Sequence, residues 1–133
     1  MIINRLSIHY FLTQLFCLYD GRFDYMPEVT LEGFRKDINN MKAIARRSNE
    51  LLELKIAIDY LLDSDWDSIK DFIPRNDYFE DEEEVKALLQ IIRSSDWHEL
   101  EDIPDINIKL IKFIDIPLME WRSKRIKANQ KDS

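Results

Sequence analysis

Residues 51–62 read LLELKIAIDYLL, and this stretch decides which fold the rest of the chain adopts. Its apolar residues recur at the three- and four-residue spacing of an α-helix, and they cover more than one face of that helix. Such a helix has to be buried by neighbours on several sides. We therefore predict a central helix, whose apolar positions are Leu51, Leu52, Leu54, Ile56, Ile58, Tyr60, Leu61 and Leu62.

The residues before this stretch predict a second helix with one apolar face. Thr30 is suited to cap its N-terminus, and the helix is expected to end near Arg46 or Arg47. Either Ser48 or Asn49 then caps the central helix, although the absence of glycine and proline between the two also allows one continuous helix. The apolar face consists of Phe34, Ile38, Met41 and either Ile44 or Ala45.

The N-terminal residues predict a further buried helix, which Asp20-Gly21 ends. An apolar run of about 14 residues here resembles a short secretory signal, but polar residues interrupt it and no small-residue cleavage site follows. The run is also shorter than the roughly 20 residues that span a bilayer. We expect a cytoplasmic protein without membrane contact, in which the lone Cys17 is a small buried hydrophobe. The apolar positions of this helix are Ile3, Leu6, Tyr10, Leu12, Leu15, Phe16 and Tyr19.

Downstream of the central helix, the sequence predicts two short helices on either side of a longer one. Ser64 with Asp67 forms a capping box for the first short helix, which stops before Pro74. Asp81 caps the longer helix, and the three glutamates that follow it load the first turn with favourable charge. Ser95 caps the second short helix. The inward face of the longer helix consists of Val85, Leu88, Leu89 and Ile92.

The C-terminal segment allows two interpretations. Its apolar residues suit a last helix that Asp105 caps and Pro117 kinks or restarts. The alternation of apolar and polar residues at 106–110 also fits a strand. Beyond the apolar residues, we expect the basic stretch from Arg122 to Lys131 to form a frayed tail. The helical set would be Leu110, Ile111, Ile114, Leu118 and Trp121.

The sequence also echoes itself at a shift of 31 residues, which places Ser64-Asp65-Trp66 on Ser95-Asp96-Trp97. In both copies, the serine is expected to cap the following helix and the tryptophan to fold back over the preceding one. This period is typical of stacked helical hairpins, although two copies also arise by chance from helix–cap–helix patterns. If the repeat is real, the two acidic junctions lie side by side.

The composition agrees with a helical fold. The chain has only two glycines and four prolines, so it lacks the turn residues that a many-stranded β architecture needs. Its 133 residues, 45% of them hydrophobic, suffice for one core. We therefore predict an all-α protein, a compact bundle of about six or seven helices in a single domain spanning residues 1–133. The sequence leaves open whether residues 50–104 form two stacked helical-hairpin repeats.

The charge is unevenly distributed along the chain. The formal net charge is −7, but the segment from Asp63 to Asp105 holds 15 acidic and 4 basic residues. The remaining residues hold 11 acidic and 15 basic ones. Such a field repels nucleic acid and acidic membranes and steers a basic partner towards the protein. The alternative is that the charges form an ordinary solvated face.

Four aspartates stand at the spacing of the first ligands of an EF-hand calcium loop. The rest of that motif is missing, because Ser68 takes the place of its glycine and Pro74 the place of its bidentate glutamate. We expect these side chains to cap helices or face solvent, and we predict no metal site. The four residues are Asp63, Asp65, Asp67 and Asp71.

Catalytic patterns are equally incomplete. His9 and His98 have no partner at metal-ligand or acid–base spacing, so both are expected to be structural. The sequence has neither a glycine-rich phosphate loop nor a nucleophile motif. We therefore predict a protein that is not an enzyme and that binds no cofactor.

Our leading hypothesis is a non-enzymatic protein-binding inhibitor. It would be an acidic immunity-type protein that neutralises a basic toxin or nuclease by covering the active site. Tyr78 and Phe79 directly precede the acidic run at residues 80–84. Aromatic side chains that can anchor an interface therefore stand next to charges that can attract a basic partner. A count of 18 isoleucines against five alanines favours an AT-rich bacterial gene. The predicted partner-binding residues are Asp63, Asp65, Asp67, Asp71, Asp77, Tyr78, Phe79, Glu80, Asp81, Glu82, Glu83, Asp96, Glu99, Glu101 and Asp102.

Two other functions stay open. The chain can be a helical adaptor or assembly subunit, for example a homodimer, without an inhibitory role. It can also be a nucleic-acid-binding regulator that uses its basic flanks, although the overall charge opposes this. The basic residues concerned are Arg35, Lys36, Lys42, Arg46, Arg47 and the segment 122–127.

Overall fold

A computed structural model describes residues 1–16, 31–73, 82–100 and 111–131 of the chain. The described part is mostly helical, as predicted, with six α-helices, one 3₁₀ helix and two short strands. No helix within these ranges is long and apolar enough to cross a membrane. The elements are β1 (Ile2–Asn4), α1 (Arg5–Phe16), α2 (Leu31–Arg47), α3 (Leu51–Leu62), α4 (Trp66–Ile69), α5 (Glu82–Ser94), the 3₁₀ helix His98–Leu100, β2 (Lys112–Ile114) and α6 (Leu118–Lys131).

Helix α3 lies at the centre of the bundle, as predicted, because α1, α2 and α5 all pack against it. Its side chains at Leu54, Ala57 and Leu61 are fully buried. Burying one leucine side chain of this kind contributes about 1.5–3 kcal/mol, so the central helix makes a substantial contribution to stability. The predicted inward faces of α2 and α5 are confirmed: each of these side chains is fully buried, namely Phe34, Ile38, Met41, Ala45, Val85, Leu88, Leu89 and Ile92.

A residue in the left-handed conformation separates α2 from α3. Asn49 has a φ of 58°, which asparagine tolerates better than most residues and which breaks the helix without glycine or proline. The Ser48 hydroxyl donates hydrogen bonds to the carbonyls of Ile44 and Ala45, so it completes the end of α2. The prediction that Ser48 or Asn49 caps α3 is therefore wrong. Glu50 occupies that position and makes no capping hydrogen bond with its side chain.

Two short strands replace part of the predicted first and last helices. β1 pairs in parallel with β2, with Ile3 opposite Phe113 and Asn4 opposite Ile114. Of the two interpretations left open for the C-terminal segment, the structure shows a strand at Lys112–Ile114, where β-branched residues satisfy their backbone groups by pairing with β1. Pro117 restarts the chain as a helix, as predicted, and its carbonyl accepts a hydrogen bond from the Trp121 amide at 2.9 Å.

The Asn4 side chain extends the strand pairing beyond β2. It is fully buried, its Nδ2 donates to the Ile116 carbonyl at 2.9 Å, and its Oδ1 accepts from the Ile116 amide at 3.0 Å. The same Nδ2 lies 3.3 Å from the Ser7 hydroxyl oxygen. One buried amide therefore joins the N-terminal strand, the first turn of α1 and the segment that leads into α6.

Helix α6 includes the basic stretch from Arg122 to Lys131, and the fraying expected of this stretch stays a prediction. Two contacts occur in the first two turns of α6. The Trp121 indole donates to the Glu50 carboxylate at 3.3 Å, and Lys124 pairs with Glu120 one turn earlier. Several predicted features lie outside the described residues: Cys17, Tyr19, the Asp20-Gly21 turn, Thr30, Pro74, Asp81 and residues 105–110.

We expect the substitution Asn4→Ala to lower the free energy of unfolding by about 2 kcal/mol, because it removes the side chain that pairs with both backbone groups of Ile116. Urea denaturation followed by circular dichroism measures the change. The matched control is Asn40→Ala at an exposed position of α2, which should change the stability by less than about 0.5 kcal/mol. Equal effects of the two substitutions would contradict the role given to Asn4.

Candidate functional site

The predicted site is built on two Ser-Asp-Trp junctions, and in both the serine and the aspartate have different roles from those expected. The Ser64 hydroxyl donates to the Tyr60 carbonyl at 2.7 Å and so ends α3. Asp65 caps α4, because its Oδ1 accepts a hydrogen bond from the Ser68 amide at 2.9 Å. The prediction that Ser64 caps α4 is therefore wrong by one residue. Because the Ser64 hydroxyl bonds to the last turn of α3, the next residue caps α4 instead.

The second junction repeats this arrangement. Ser95 donates from its hydroxyl to the Ile92 carbonyl, and Asp96 Oδ1 accepts from the His98 amide at 2.9 Å, so Asp96 rather than Ser95 caps the 3₁₀ helix. The Trp97 indole donates back to the Ile92 carbonyl at 3.0 Å, as the sequence predicts for this tryptophan. The side chain of Trp66 lies outside the described residues. The 31-residue echo therefore corresponds to a shared local geometry at the junctions.

Capping fixes the charge of both aspartates. The hydrogen bond from the Ser68 amide holds the pKa of Asp65 below its usual value, and the Lys86 ammonium lowers it further. In the same way, the hydrogen bond from the His98 amide lowers the pKa of Asp96. A carboxylate that accepts a backbone N–H at a helix start is favoured in its ionised form. Both groups are therefore negative charges held in defined positions.

The first junction and the start of α5 form one acidic region. Helix α5 packs against α3, and the charge of Lys86 near its start is one of the causes that lower the pKa of Asp65. Within α5, Lys86 pairs with Glu82 at 3.2 Å. Residues 63–71 and 82–86 together contain seven acidic and two basic residues. The carboxylates in this region whose side chains the structure describes are all exposed, and we call them the acidic end: Asp63, Asp65, Asp67, Asp71, Glu82 and Glu83.

The second junction lies at the other end of α5. Because α5 has 13 residues, its two ends are about 20 Å apart. The structure thus separates Asp96 and Glu99 from the acidic end, and the expectation that the two junctions lie side by side is wrong. The reason is topological: the echo aligns α3 with α5, and these helices run in opposite directions.

Cations accompany the carboxylates at this second junction. The buried Lys42 Nζ donates to the Asp96 carbonyl at 2.6 Å and lies 4.2 Å from the centre of the Trp97 ring. Burial lowers the pKa of Lys42. The Arg46 guanidinium binds both carboxylate oxygens of Glu99, one of them at 3.0 Å. Lys42 and Arg46 are thereby committed to contacts within the chain, which weakens the basic surface that a nucleic-acid-binding role would need.

The remaining predicted partner-binding residues lie outside the described part of the chain. They are Asp77, Tyr78, Phe79, Glu80, Asp81, Glu101 and Asp102. Five of them belong to the segment that joins α4 to α5, both ends of which are at the acidic end.

Three of the four aspartates with partial EF-hand spacing bind or pair with other groups of the protein. Asp65 caps α4, Asp67 pairs with Lys70 at 3.0 Å, and Asp71 lies 3.7 Å from Arg5. Within the described ranges, no group of three or more His, Cys, Asp or Glu side chains is arranged to hold a metal ion. His9 is half-buried in α1, and burial lowers its pKa.

Sequence reasoning missed a cavity of about 370 Å³ near the second junction. It lies where α2 ends, α3 begins and the 3₁₀ helix passes, and its walls combine leucine side chains with the Arg46–Glu99 ion pair. No sequence signal points to it, because its three wall segments come together only through the packing of α2, α3 and α5. Its lining residues are Arg46, Asn49, Leu51, Leu52, Glu53, Glu99 and Leu100.

The lowered pKa of Asp65 predicts an acid-dependent contribution to stability. The carboxylate stabilises the fold above the unfolded pKa of about 3.9, and this contribution is lost as the pH falls through the lower folded pKa. Asp65→Asn keeps a capping side chain without the charge. We therefore expect urea midpoints to show wild-type protein more stable than the variant at pH 7 and the difference to vanish near about pH 2. An equal difference at both pH values would contradict the assignment.

The buried ammonium of Lys42 predicts a larger effect. Lys42→Ala removes a charge-assisted hydrogen bond to the Asp96 carbonyl and the contact with Trp97, so we expect the free energy of unfolding to fall by about 2 kcal/mol. Chemical denaturation measures this value. Lys36→Ala, at an exposed position of the same helix, is the control and should change the stability by less than about 0.5 kcal/mol. A Lys42 variant as stable as the control would show that this contact contributes nothing.

Comparison with known proteins adds no relative to these observations. No protein-family model matches the chain. No curated protein and no solved structure matches it either. Any functional proposal for this chain therefore depends on the positions and charges of its own residues.

Proposed function

We propose that this protein is a non-enzymatic inhibitor of the acidic immunity type, which neutralises a basic toxin or nuclease by covering its active site. The observation that carries the proposal is the acidic end, whose described carboxylates are all exposed and lie on the segment around α4 and at the start of α5, the helix whose Lys86 lowers the pKa of Asp65. Its two segments have a net charge of −5, from seven acidic and two basic residues. A surface of this sign increases the rate at which a basic protein docks.

The scaffold beneath the acidic end favours tight binding. Leu61 of α3 and Val85 and Leu88 of α5 are fully buried next to the exposed carboxylates. The backbone that positions these charges is therefore ordered before a partner arrives, and binding does not have to fix it. The Asp65 side chain is also oriented before binding, because its carboxylate accepts a hydrogen bond from the Ser68 amide.

Inhibition follows from the chemistry of a nuclease cleft. Such a cleft holds its substrate by neutralising phosphates with lysine and arginine side chains. A row of carboxylates offers these cations the same charge as the phosphates do, and it excludes the nucleic acid for as long as it occupies the cleft. The inhibitor needs no catalytic group of its own for this mechanism.

A capture experiment tests the proposal. Tagged protein is expected to retain one dominant basic partner from bacterial lysate, and graded amounts of the pure protein should abolish the activity of that partner. Because the attraction is electrostatic, raising the salt from about 50 mM to about 500 mM should slow association. A tight complex that is indifferent to salt, or a partner whose activity is unaffected, would contradict the proposal.

Paired variants locate the contact. We expect Asp67→Asn combined with Glu83→Gln to slow association about tenfold, because both carboxylates belong to the acidic end. The matched control combines Asp96→Asn with Glu120→Gln, which removes the same charge from exposed positions elsewhere and should leave the rate within about twofold. The reverse order of effects would move the interface to the second junction.

A further inference from the structure

The cavity of about 370 Å³ near the second junction has the wall composition of a small-molecule site. Three of its lining side chains are leucines: Leu51 is 9% exposed, and Leu52 and Leu100 are half-buried against the core. Sites for small molecules measure roughly 300–1,000 Å³ and combine apolar walls with a few charged or polar groups. The volume here is near the lower end of that range, so a ligand that fits it has to be small.

An ion pair stands at the mouth of this cavity. The Arg46 guanidinium donates to both carboxylate oxygens of Glu99, and the two side chains are 49% and 39% exposed. They are much more exposed than Leu51, so the charges border the solvent and the leucine lies deeper. The pairing raises the pKa of Arg46 and lowers the pKa of Glu99, which keeps both groups charged.

This ion pair can be opened by a ligand. Even with two hydrogen bonds, a pair exposed to this extent is screened by water, and separating it costs far less than separating a buried pair. A molecule that offers each partner an equivalent contact therefore replaces the pair at little cost.

The two charges select a ligand that is charged at two points. A simple cation would be repelled by Arg46, and a simple anion by Glu99. A zwitterion avoids both conflicts, because its carboxylate matches the planar fork of the guanidinium and its ammonium pairs with the glutamate. An apolar group on the same small molecule can then reach the leucines.

We infer that the cavity is a binding site for a free amino acid with an apolar side chain. The ligand carboxylate binds Arg46, the ligand ammonium binds Glu99, and the side chain occupies the space beside Leu51, Leu52 and Leu100. In the structure, Arg46 and Glu99 bond to each other as they would to the two charged groups of the ligand.

The inference is independent of the proposed inhibition. The cavity lies at the second junction, away from the acidic end, and amino-acid binding can be measured without a toxin. Either proposal can therefore fail while the other holds.

Isothermal titration calorimetry on the full chain tests the inference. The probes are L-valine, L-leucine, L-methionine and L-phenylalanine, added singly. At least one should bind with one-to-one stoichiometry and a dissociation constant of about 1 mM or below. If none of them binds at concentrations up to about 10 mM, the cavity holds only water and the inference is overturned.

Analogues of the best-binding amino acid test each contact separately. Its amide lacks the carboxylate, its N-acetyl derivative lacks the ammonium, and glycine lacks the apolar side chain. Each should bind at least about tenfold more weakly, because one group of the site is left without its counterpart. An amide that binds as tightly as the amino acid would indicate a site for amines and overturn the inference. Equally tight binding of the N-acetyl derivative or of glycine would overturn it as well.

Substitutions at the mouth locate the ligand. Arg46→Gln and Glu99→Gln should each weaken binding at least about tenfold, since each removes one charge-assisted contact. The matched controls are Arg47→Gln and Glu120→Gln, which neutralise exposed charges outside the cavity wall and should leave the affinity within about twofold. Equal effects of the two sets, with every variant folded by circular dichroism, would place the ligand elsewhere and overturn the inference.

Exchanging the two charges separates binding from a purely structural role. The combination of Arg46→Glu with Glu99→Arg restores the ion pair in reverse, so the urea midpoint should stay close to that of the wild type. The affinity for the amino acid should nevertheless fall at least about tenfold, because each charged group of the ligand then meets a like charge. An exchanged protein that binds the amino acid as tightly as the wild type would overturn the inference.

Discussion

The burial of α3 is the constraint on which the remaining structure depends. This helix is apolar on several sides, so no single neighbour can cover it, and α1, α2 and α5 have to converge on it. The convergence fixes the directions of the other helices and determines which of their ends meet. Helix α5 packs against α3, so Lys86 near its start comes close enough for its charge to lower the pKa of Asp65. The position of the surface charges is thus a consequence of how one apolar helix is covered.

Features that depend on neighbouring residues were accessible from the sequence. The faces of α2 and α5 were predicted correctly, because helical periodicity is a local property and both faces point to one core. Cap positions were displaced by one residue, since serine and aspartate are both good caps and the choice depends on where the previous helix ends. A strand in the C-terminal segment was left open as an alternative to helix, but its pairing with β1 was not predicted, because the pairing of Ile3 with Phe113 depends on the packing of the residues between them.

The candidate site was predictable in composition but not in arrangement. Counting charges identified the exposed carboxylates, yet it assigned Asp96 and Glu99 to the same surface as Asp65. The structure separates them by the length of α5 and places Lys42 and Arg46 beside the second group. The cavity lined by Leu51, Leu100 and the Arg46–Glu99 pair left no trace in the sequence. Arrangements of this kind are set by tertiary packing, for which a single sequence contains no direct signal.

The bond between Asn4 and Ile116 joins residues 112 positions apart, and this separation has a consequence for the order of folding. Closing a loop of that length costs more chain entropy than forming any helix–helix contact between adjacent elements of this protein. The closure is therefore worthwhile only after α1, α2, α3 and α5 have condensed and brought the two segments together. During synthesis, the first strand remains without its partner until residues 112–114 have left the ribosome. Its exposed edge is then open to unintended pairing, so β1 is a point at which this protein is at risk of misfolding.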